Sequence, residues 1–156
     1  AKMGMHSDYH VTWLPSYGPE MRGGAANCSV IISTEEIGSP LISHPDILLV
    51  FNLPSFDKFE GDVKAGGRIF VDSAMVEKRS ERDDISAYYI PASKMASDAG
   101  LTGLANVIVL GYMLKVTGIF DYDEFLADIL SGIPESKSAL IEGNKSALLM
   151  GYQYGE

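Results

Sequence analysis

Residues 47–54 read ILLVFNLP, and this run decides the fold. Five large apolar side chains follow one another without alternation, as in a strand covered on both faces. Pro54 then suits the first turn of a helix, where a missing N–H costs nothing. The pattern predicts a strand over Ile47–Asn52 and a helix from Pro54 to about Lys64. Gly66-Gly67 stops that helix, and Arg68–Asp72, RIFVD, is the next strand. Strand, helix and strand in so short a span make a parallel βαβ unit.

Toward the C-terminus, Glu77–Asp84, EKRSERDD, is a mixed charge run and reads as a solvated loop. Ala87–Ile90 is a short strand, and Pro91 opens a helix that ends near Asp98, before Gly100. Leu104–Val116 is a helix with Leu104, Val107, Ile108 and Leu114 as core residues. Asp121-x-x-Glu124 begins another like a capping box, with Phe125, Leu126, Ile129 and Leu130 as its stripe. The last helix runs from about Glu135 to Met150 and carries Leu140, Ala147 and Leu148 on one face. Toward the N-terminus, Tyr9–Leu14 and Ala25–Ser33 are strands, and Thr34–Pro45 is a polar connection. Strands alternate with helices in the first half and helices dominate the second. The fold class is α/β: one three-layer α/β/α domain over residues 1–156 with a mostly parallel sheet.

Composition narrows the function. With 46% hydrophobic residues the chain can fill a core, and a net charge of −9 argues against nucleic-acid binding. No apolar run approaches the ~18–20 residues of a membrane span. The single cysteine, Cys28, rules out an intrachain disulfide and any iron–sulfur or zinc site built from this chain's thiolates, and fits a cytoplasmic location. Placed in an apolar strand, Cys28 is expected to be a buried, inert thiol. His6, His10 and His44 have no metal-ligand spacing, and neither GxSxG nor HExxH occurs. Gly100, Gly103 and Gly111 read as helix ends or close helix packing rather than a nucleotide loop.

The stretch with the most chemistry is WLPSYGPEMRGGAANCS, residues 13–29. Pro15 and Pro19 fix φ, whereas Gly18, Gly23 and Gly24 permit angles or close approaches that a β-carbon forbids. Ser16, Tyr17, Glu20, Met21 and Arg22 lie among them. Arg22 can grip a carboxylate or phosphate with two parallel bonds, and Glu20 can hold Arg22 or a partner's cation. Tyr17 can bury its ring and still make one hydrogen bond, and Met21 can anchor an interface. Following a strand, the loop is placed at a strand's carboxyl edge, where open α/β sheets keep their crevice. The residues alone leave two readings open: a rigid loop tied down by Glu20 and Arg22, or a site or docking surface. Asn52 and Asp72-Ser73, each ending a strand, carry the same choice between a capped turn and a ligand contact.

The segment PSYGPEMRGGAANC resembles the γ subunit, or γ domain, of 2-oxoacid:ferredoxin (acceptor) oxidoreductases. With Trp13-Leu14-Pro15 before it and Met21-Arg22-Gly23-Gly24 within it, it is most similar to the 2-oxoglutarate and branched-chain 2-oxoacid members. The resemblance continues through Ile37-Gly38-Ser39-Pro40, Asp46–Asn52 and Gly103-Leu104-Ala105-Asn106, over nearly all of the chain. It also implies a first strand and a GxGGxG-type turn before a helix. Ala1–His6 reads as the tail of that helix, so the sequence is expected to lack its natural N-terminus.

The resemblance implies CoA-dependent oxidative decarboxylation of a 2-oxoacid, 2-oxoglutarate first, with electrons passing to ferredoxin or a flavodoxin-like acceptor. It implies thiamine diphosphate, magnesium and iron–sulfur clusters in partner subunits, coenzyme A as co-substrate, and no cofactor bound by this chain alone. The partners are catalytic α and β subunits and a ferredoxin-like subunit. No catalytic or metal-binding residue is assigned here. Pro15, Ser16, Tyr17, Gly18, Pro19, Glu20, Met21, Arg22, Gly23, Gly24 and Asn52 are expected at a subunit interface or the active-site cleft. Any contact with the coenzyme's phosphates would need a local cation such as Arg22 or Arg68. The rival reading is a free-standing α/β module that binds a nucleotide or CoA-like ligand.

Overall fold

A computed structural model of the chain describes residues 1–6, 8–16 and 26–155. They form two compact units, Ala1–Pro45 and Asp46–Glu156.

The first unit holds a short helix, α1 (Lys2–His6), and two strands, β1 (His10–Ser16) and β2 (Asn27–Ser33). The strands pair antiparallel, with Val11 opposite Ile32, Trp13 opposite Val30 and Pro15 opposite Cys28. Thus β1 does not stop at Leu14 but runs through Pro15. In a two-stranded ladder each strand has an outer edge that needs no N–H, and a proline is tolerated there. Cys28, in a strand with the continuous apolar run Val30-Ile31-Ile32, had read as buried. In a hairpin Cys28 is exposed instead, and Trp13 and Val30 keep 61% and 38% of their surface. Residues 34–45 form no regular element, only local turns in which Ser33 and Ser39 hydroxyls accept from the amides of Glu35 and Leu41.

The second unit is the layered one. Its strands are β3 (Ile47–Val50), β4 (Arg68–Asp72) and β5 (Ser86–Ile90), all parallel in the order β3-β4-β5. The helices are α2 (Leu53–Phe59), α3 (Ala92–Asp98), α4 (Ala105–Thr117), α5 (Tyr122–Ser131) and α6 (Leu140–Tyr152). Side chains alternate across the sheet as a two-residue period requires. Leu48, Val50, Ile69, Val71, Ala87 and Tyr89 face one side, where Phe56 of α2 and Val76 pack. Leu49, Phe70, Tyr88 and Ile90 face the other, against α3, α4 and α6. This is the three-layer arrangement read from the sequence.

The second side is rich in rings. Phe70 stacks on Tyr88 at 5.0 Å, and Tyr112 meets both edge-on and also meets Tyr154 at 5.2 Å. Such pairs add to the area they bury. Burial pushes the Tyr112 hydroxyl above its ordinary pKa, with Tyr154 and Tyr88 adding to the shift. Helices α4 and α6 cross at Gly111 and Gly151. A β-carbon on Gly111 would strike the Leu148 carbonyl, and one on Gly151 the Ile108 carbonyl. Backbone meets backbone at this crossing because neither helix carries a side chain there. Gly100 and Gly103 hold left-handed angles ahead of α4, so they are helix punctuation.

Several boundaries moved. The helix expected to reach Lys64 ends at Phe59 and tightens into a 3₁₀ turn over Glu60–Asp62. The last helix begins at Leu140 after a separate 3₁₀ turn, Glu135–Lys137, and Leu140 itself is 49% exposed, not core. Asp121 caps α5 by accepting from the amides of Asp123 and Glu124.

The charge run 77–84 is not simply solvated. It crosses from β4 to β5 without a helix and is tied down by side chains. Lys78 pairs with Asp57 at 2.6 Å, and Arg79 lies 3.9 Å above the Tyr89 ring. The Ser80 hydroxyl donates to Glu60. Arg82 binds Asp84 through two nitrogens, at 2.8 and 2.7 Å, and donates to the Glu60 and Gly61 carbonyls. The Arg82 hydrogen bond holds the Asp84 carboxyl below the ordinary value, and the Asp57 hydrogen bond holds Lys78 above its own. Asp84 therefore contributes fully above the usual aspartate range and less as the pH falls through its lowered value. Lys78 contributes fully below its usual range and less as the pH rises through its raised value. The Arg82 Nε–H resonance is expected to hold constant between about pH 5 and 10 and to move only in acid, which a heteronuclear NMR titration checks.

Candidate functional site

The carboxyl ends of β3, β4 and β5 lie side by side, which is where parallel sheets carry their sites. After β3, Asn52 is exposed and extended, and its side-chain oxygen accepts from the Ser55 amide at 2.8 Å. It caps α2, with Pro54 in the first turn as the sequence indicated. Replacing Asn52 with alanine is expected to cost about 1 kcal/mol, and with serine or aspartate little; urea denaturation measures both.

The last residue of β4 is Asp72, a fully buried carboxylate in the middle strand. One oxygen accepts from the Ala74 amide at 3.1 Å. The other accepts from the Ser93 amide at 3.0 Å and from the Ser93 hydroxyl. Asp72 thus holds the turn after its own strand and, across the sheet edge, the first turn of α3, where helix amides lack partners. The Ser73 amide donates to the Ile90 carbonyl at 2.9 Å, tying the same turn to the end of β5. Both carboxylate oxygens are engaged by donors, so Asp72 acts as a pin rather than a poised base. Of Asn52 and Asp72-Ser73, the two sequence candidates on this edge, each performs capping or turn chemistry. Ser93 was missed. Its only signal is a serine at the start of a proline-opened helix, and such a residue normally caps its own helix rather than receiving a strand's carboxylate.

The other candidate lies in the first unit. Pro15 and Ser16 end β1, opposite Cys28 and Asn27. Tyr17, Gly18, Pro19, Glu20, Met21, Arg22, Gly23 and Gly24 lie outside the described residues. The ladder's last pair, Ser16 and Asn27, leaves residues 17–26 between antiparallel strands. The motif therefore joins a hairpin instead of leaving the carboxyl edge of a parallel strand, and the crevice rule does not apply to it. A connection this long exceeds the usual 2–5 residues of a hairpin loop. Among the described residues no three His, Cys, Asp or Glu side chains gather as a metal site would require, and no helix is long and apolar enough to cross a membrane.

Over residues 1–154 the chain matches the family described as pyruvate ferredoxin/flavodoxin oxidoreductase. It is 43% identical to the ketoisovalerate oxidoreductase subunit VorA of Methanothermobacter marburgensis over 115 residues, 74% of this chain. That match spans only 24% of the relative's length. It is 35% identical to the 2-oxoglutarate synthase subunit KorC of Methanocaldococcus jannaschii over 140 residues, 88% of this chain and 73% of the relative. Among solved structures, the γ subunit of a keto/oxoacid ferredoxin oxidoreductase from Geobacter sulfurreducens superposes with a TM-score of 0.79. It is 30% identical, with 98% of this chain and 85% of that one covered.

Proposed function

The chain belongs to the pyruvate ferredoxin/flavodoxin oxidoreductase family, and from that membership we propose that it is the accessory γ subunit, or γ domain, of a 2-oxoacid:ferredoxin oxidoreductase. The observation that carries this is the superposition of nearly the whole chain on a 30% identical γ subunit. The reaction converts a 2-oxoacid and coenzyme A into an acyl-CoA and CO2, releasing two electrons and one proton. The electrons reduce ferredoxin or a flavodoxin-like acceptor. Thiamine diphosphate, magnesium and the iron–sulfur clusters belong to catalytic α and β subunits and a ferredoxin-like subunit. An iron–sulfur cluster does not fit this chain, because it needs about four thiolates and the chain has one cysteine. We place the assembly in the cytoplasm.

In this proposal the chain binds and positions rather than reacts. The Pro15–Gly24 motif, with Asn52, contacts the catalytic subunits or shapes the cleft through which substrate and coenzyme A approach. Arg22 supplies the planar cation that a carboxylate or phosphate needs. Replacing Arg22 or Met21 with alanine is expected to weaken assembly or coenzyme-dependent turnover about tenfold or more while leaving the chain's own melting unchanged. Subunit titration against activity measures the first effect and calorimetry the second.

The substrate we favour is 2-oxoglutarate, since the 2-oxoglutarate synthase relative matches along most of both chains. The higher identity to a ketoisovalerate oxidoreductase subunit favours branched-chain 2-oxoacids as the second choice. Coenzyme-dependent dye reduction by the purified complex decides between them. A higher kcat/KM with 2-oxoglutarate than with 2-oxoisovalerate or pyruvate supports the first choice, and turnover of pyruvate alone defeats both.

A further inference from the structure

We propose that residues 77–84 form an ion-latched strap that opens as one unit while the sheet and helices of its layer stay folded. The inference is independent of the subunit reading.

A parallel crossover is usually made by a helix, which satisfies its own backbone. Here the connection from β4 to β5 has no helix. Its ends are fixed by backbone: the Val76 amide donates to the Asp72 carbonyl, and the Asp84 carbonyl accepts from Gly66. Between those ends, the anchors on neighbouring elements come from side chains. The strap's Lys78 reaches Asp57 of α2, and Ser80 and Arg82 reach Glu60 and Gly61 just beyond it. On β5, Tyr89 takes the Arg79 guanidinium on its ring face and the Ser80 amide on its hydroxyl at 2.8 Å. Both ends of the latch thus rest on α2, its following turn and one strand.

The anchors differ from the core beneath them in how they respond to solvent. Lys78 and Asp57, the ion pair that joins the strap to α2, are each about half exposed, at 54% and 50%. Pairs with that much water around them are individually weak and are screened by salt. Phe56, Val71 and Val76 beneath the strap are buried apolar side chains, which salt does not loosen. One condition therefore acts on the strap and spares the layer. Opening it lifts Arg79 from Tyr89 and Lys78 from the Phe56 ring, which it overlies at 5.6 Å, and so uncovers aromatic surface beside α2. Regions held by few buried contacts are where sub-global opening is found.

Amide hydrogen exchange on the full chain tests this at about 0.05 M and 1 M sodium chloride, where the screening length falls from well above the ion-pair spacing to about 3 Å. The Ser80 and Arg82 amides, which are hydrogen-bonded in the closed strap, are expected to exchange about fivefold faster in high salt when normalised to an unstructured peptide, while those of β4 and α4 do not change. Arg82→Ala is expected to produce the same acceleration in low salt. Strap amides indifferent to salt would overturn the proposal. So would β4 and α4 accelerating together with the strap, because the segment would then open only with the whole layer. The salt comparison uses the unaltered chain and stands even if the variant does not fold.

Discussion

Alanine at position 151 will cost the second unit about 3 kcal/mol or more, the largest loss expected from adding a single methyl group to this chain. The reason is geometric. The methyl would overlap the Ile108 carbonyl and come within 2.9 Å of the Tyr112 amide, so α4 and α6 must separate. Separation would loosen Ile108, Ala147 and Leu148, which are fully buried at the crossing, and would disturb the contact between Tyr112 and Tyr154. Close-packed interiors yield little to such an insertion. Gly111→Ala probes the same crossing from the other helix, against the Leu148 carbonyl, and should behave alike. The double variant should cost less than the sum of the two, because one separation relieves both overlaps. Thermal unfolding measures this, with a midpoint about 10 °C lower for each single variant.

Removing the Asp72 carboxylate comes next. Alanine there would leave the Ser93 hydroxyl and the Ser93 and Ala74 amides without the acceptor they now share, around a carboxylate that is itself fully buried. A buried donor left unsatisfied costs about 1–3 kcal/mol, and three donors share this acceptor, so about 3 kcal/mol is expected for Asp72→Ala. Asparagine should cost less but more than zero, since its single oxygen can serve one amide while its NH2 group faces another donor. Ser93→Ala, which removes one of the three bonds, should cost about 1 kcal/mol. The order Ala, then Asn, then the serine variant, read from denaturant midpoints at constant slope, tests the pin. If alanine at 72 is nearly neutral, the carboxylate does not organise the sheet edge.

The sequence made the second unit legible because its signals were local and agreed with one another. ILLVF followed by Pro54, and RIFVD following Gly66-Gly67, state strand, helix and strand without help from distant residues. The two faces of the sheet then follow from the two-residue period. The hairpin was less legible. Antiparallel pairing is announced by a short turn, and here the strands are joined by residues 17–26, whose prolines and glycines read as a site rather than a turn. Without the pairing, Cys28 in its apolar strand looked buried. Gly111 could be read as a packing glycine from its place in an apolar helix. Its counterpart Gly151 could not be singled out, since the crossing depends on how two helices separated in sequence meet. The strap followed the same logic: EKRSERDD has the composition of a solvated loop, and only Glu60, Asp57 and Tyr89, all distant in sequence, make it a tied one.

The candidate site divides in the same way. Asn52 and Asp72 were visible as polar residues ending apolar strands, and their capping and pinning roles follow from where α2 and α3 begin. Ser93 became visible only when β4 and β5 were adjacent. The motif from Pro15 to Gly24 was conspicuous in the sequence for its mixture of fixed and permissive backbone with an acid, a base and a ring.

The most direct test of the central claim is anaerobic purification of the tagged chain from its host, with the partners identified by mass spectrometry. The account predicts larger catalytic subunits and a ferredoxin-like subunit in fixed proportion, iron–sulfur absorbance, and coenzyme-dependent oxidation of a 2-oxoacid by the isolated assembly. A colourless single species that binds coenzyme A or a nucleotide without those partners would contradict it.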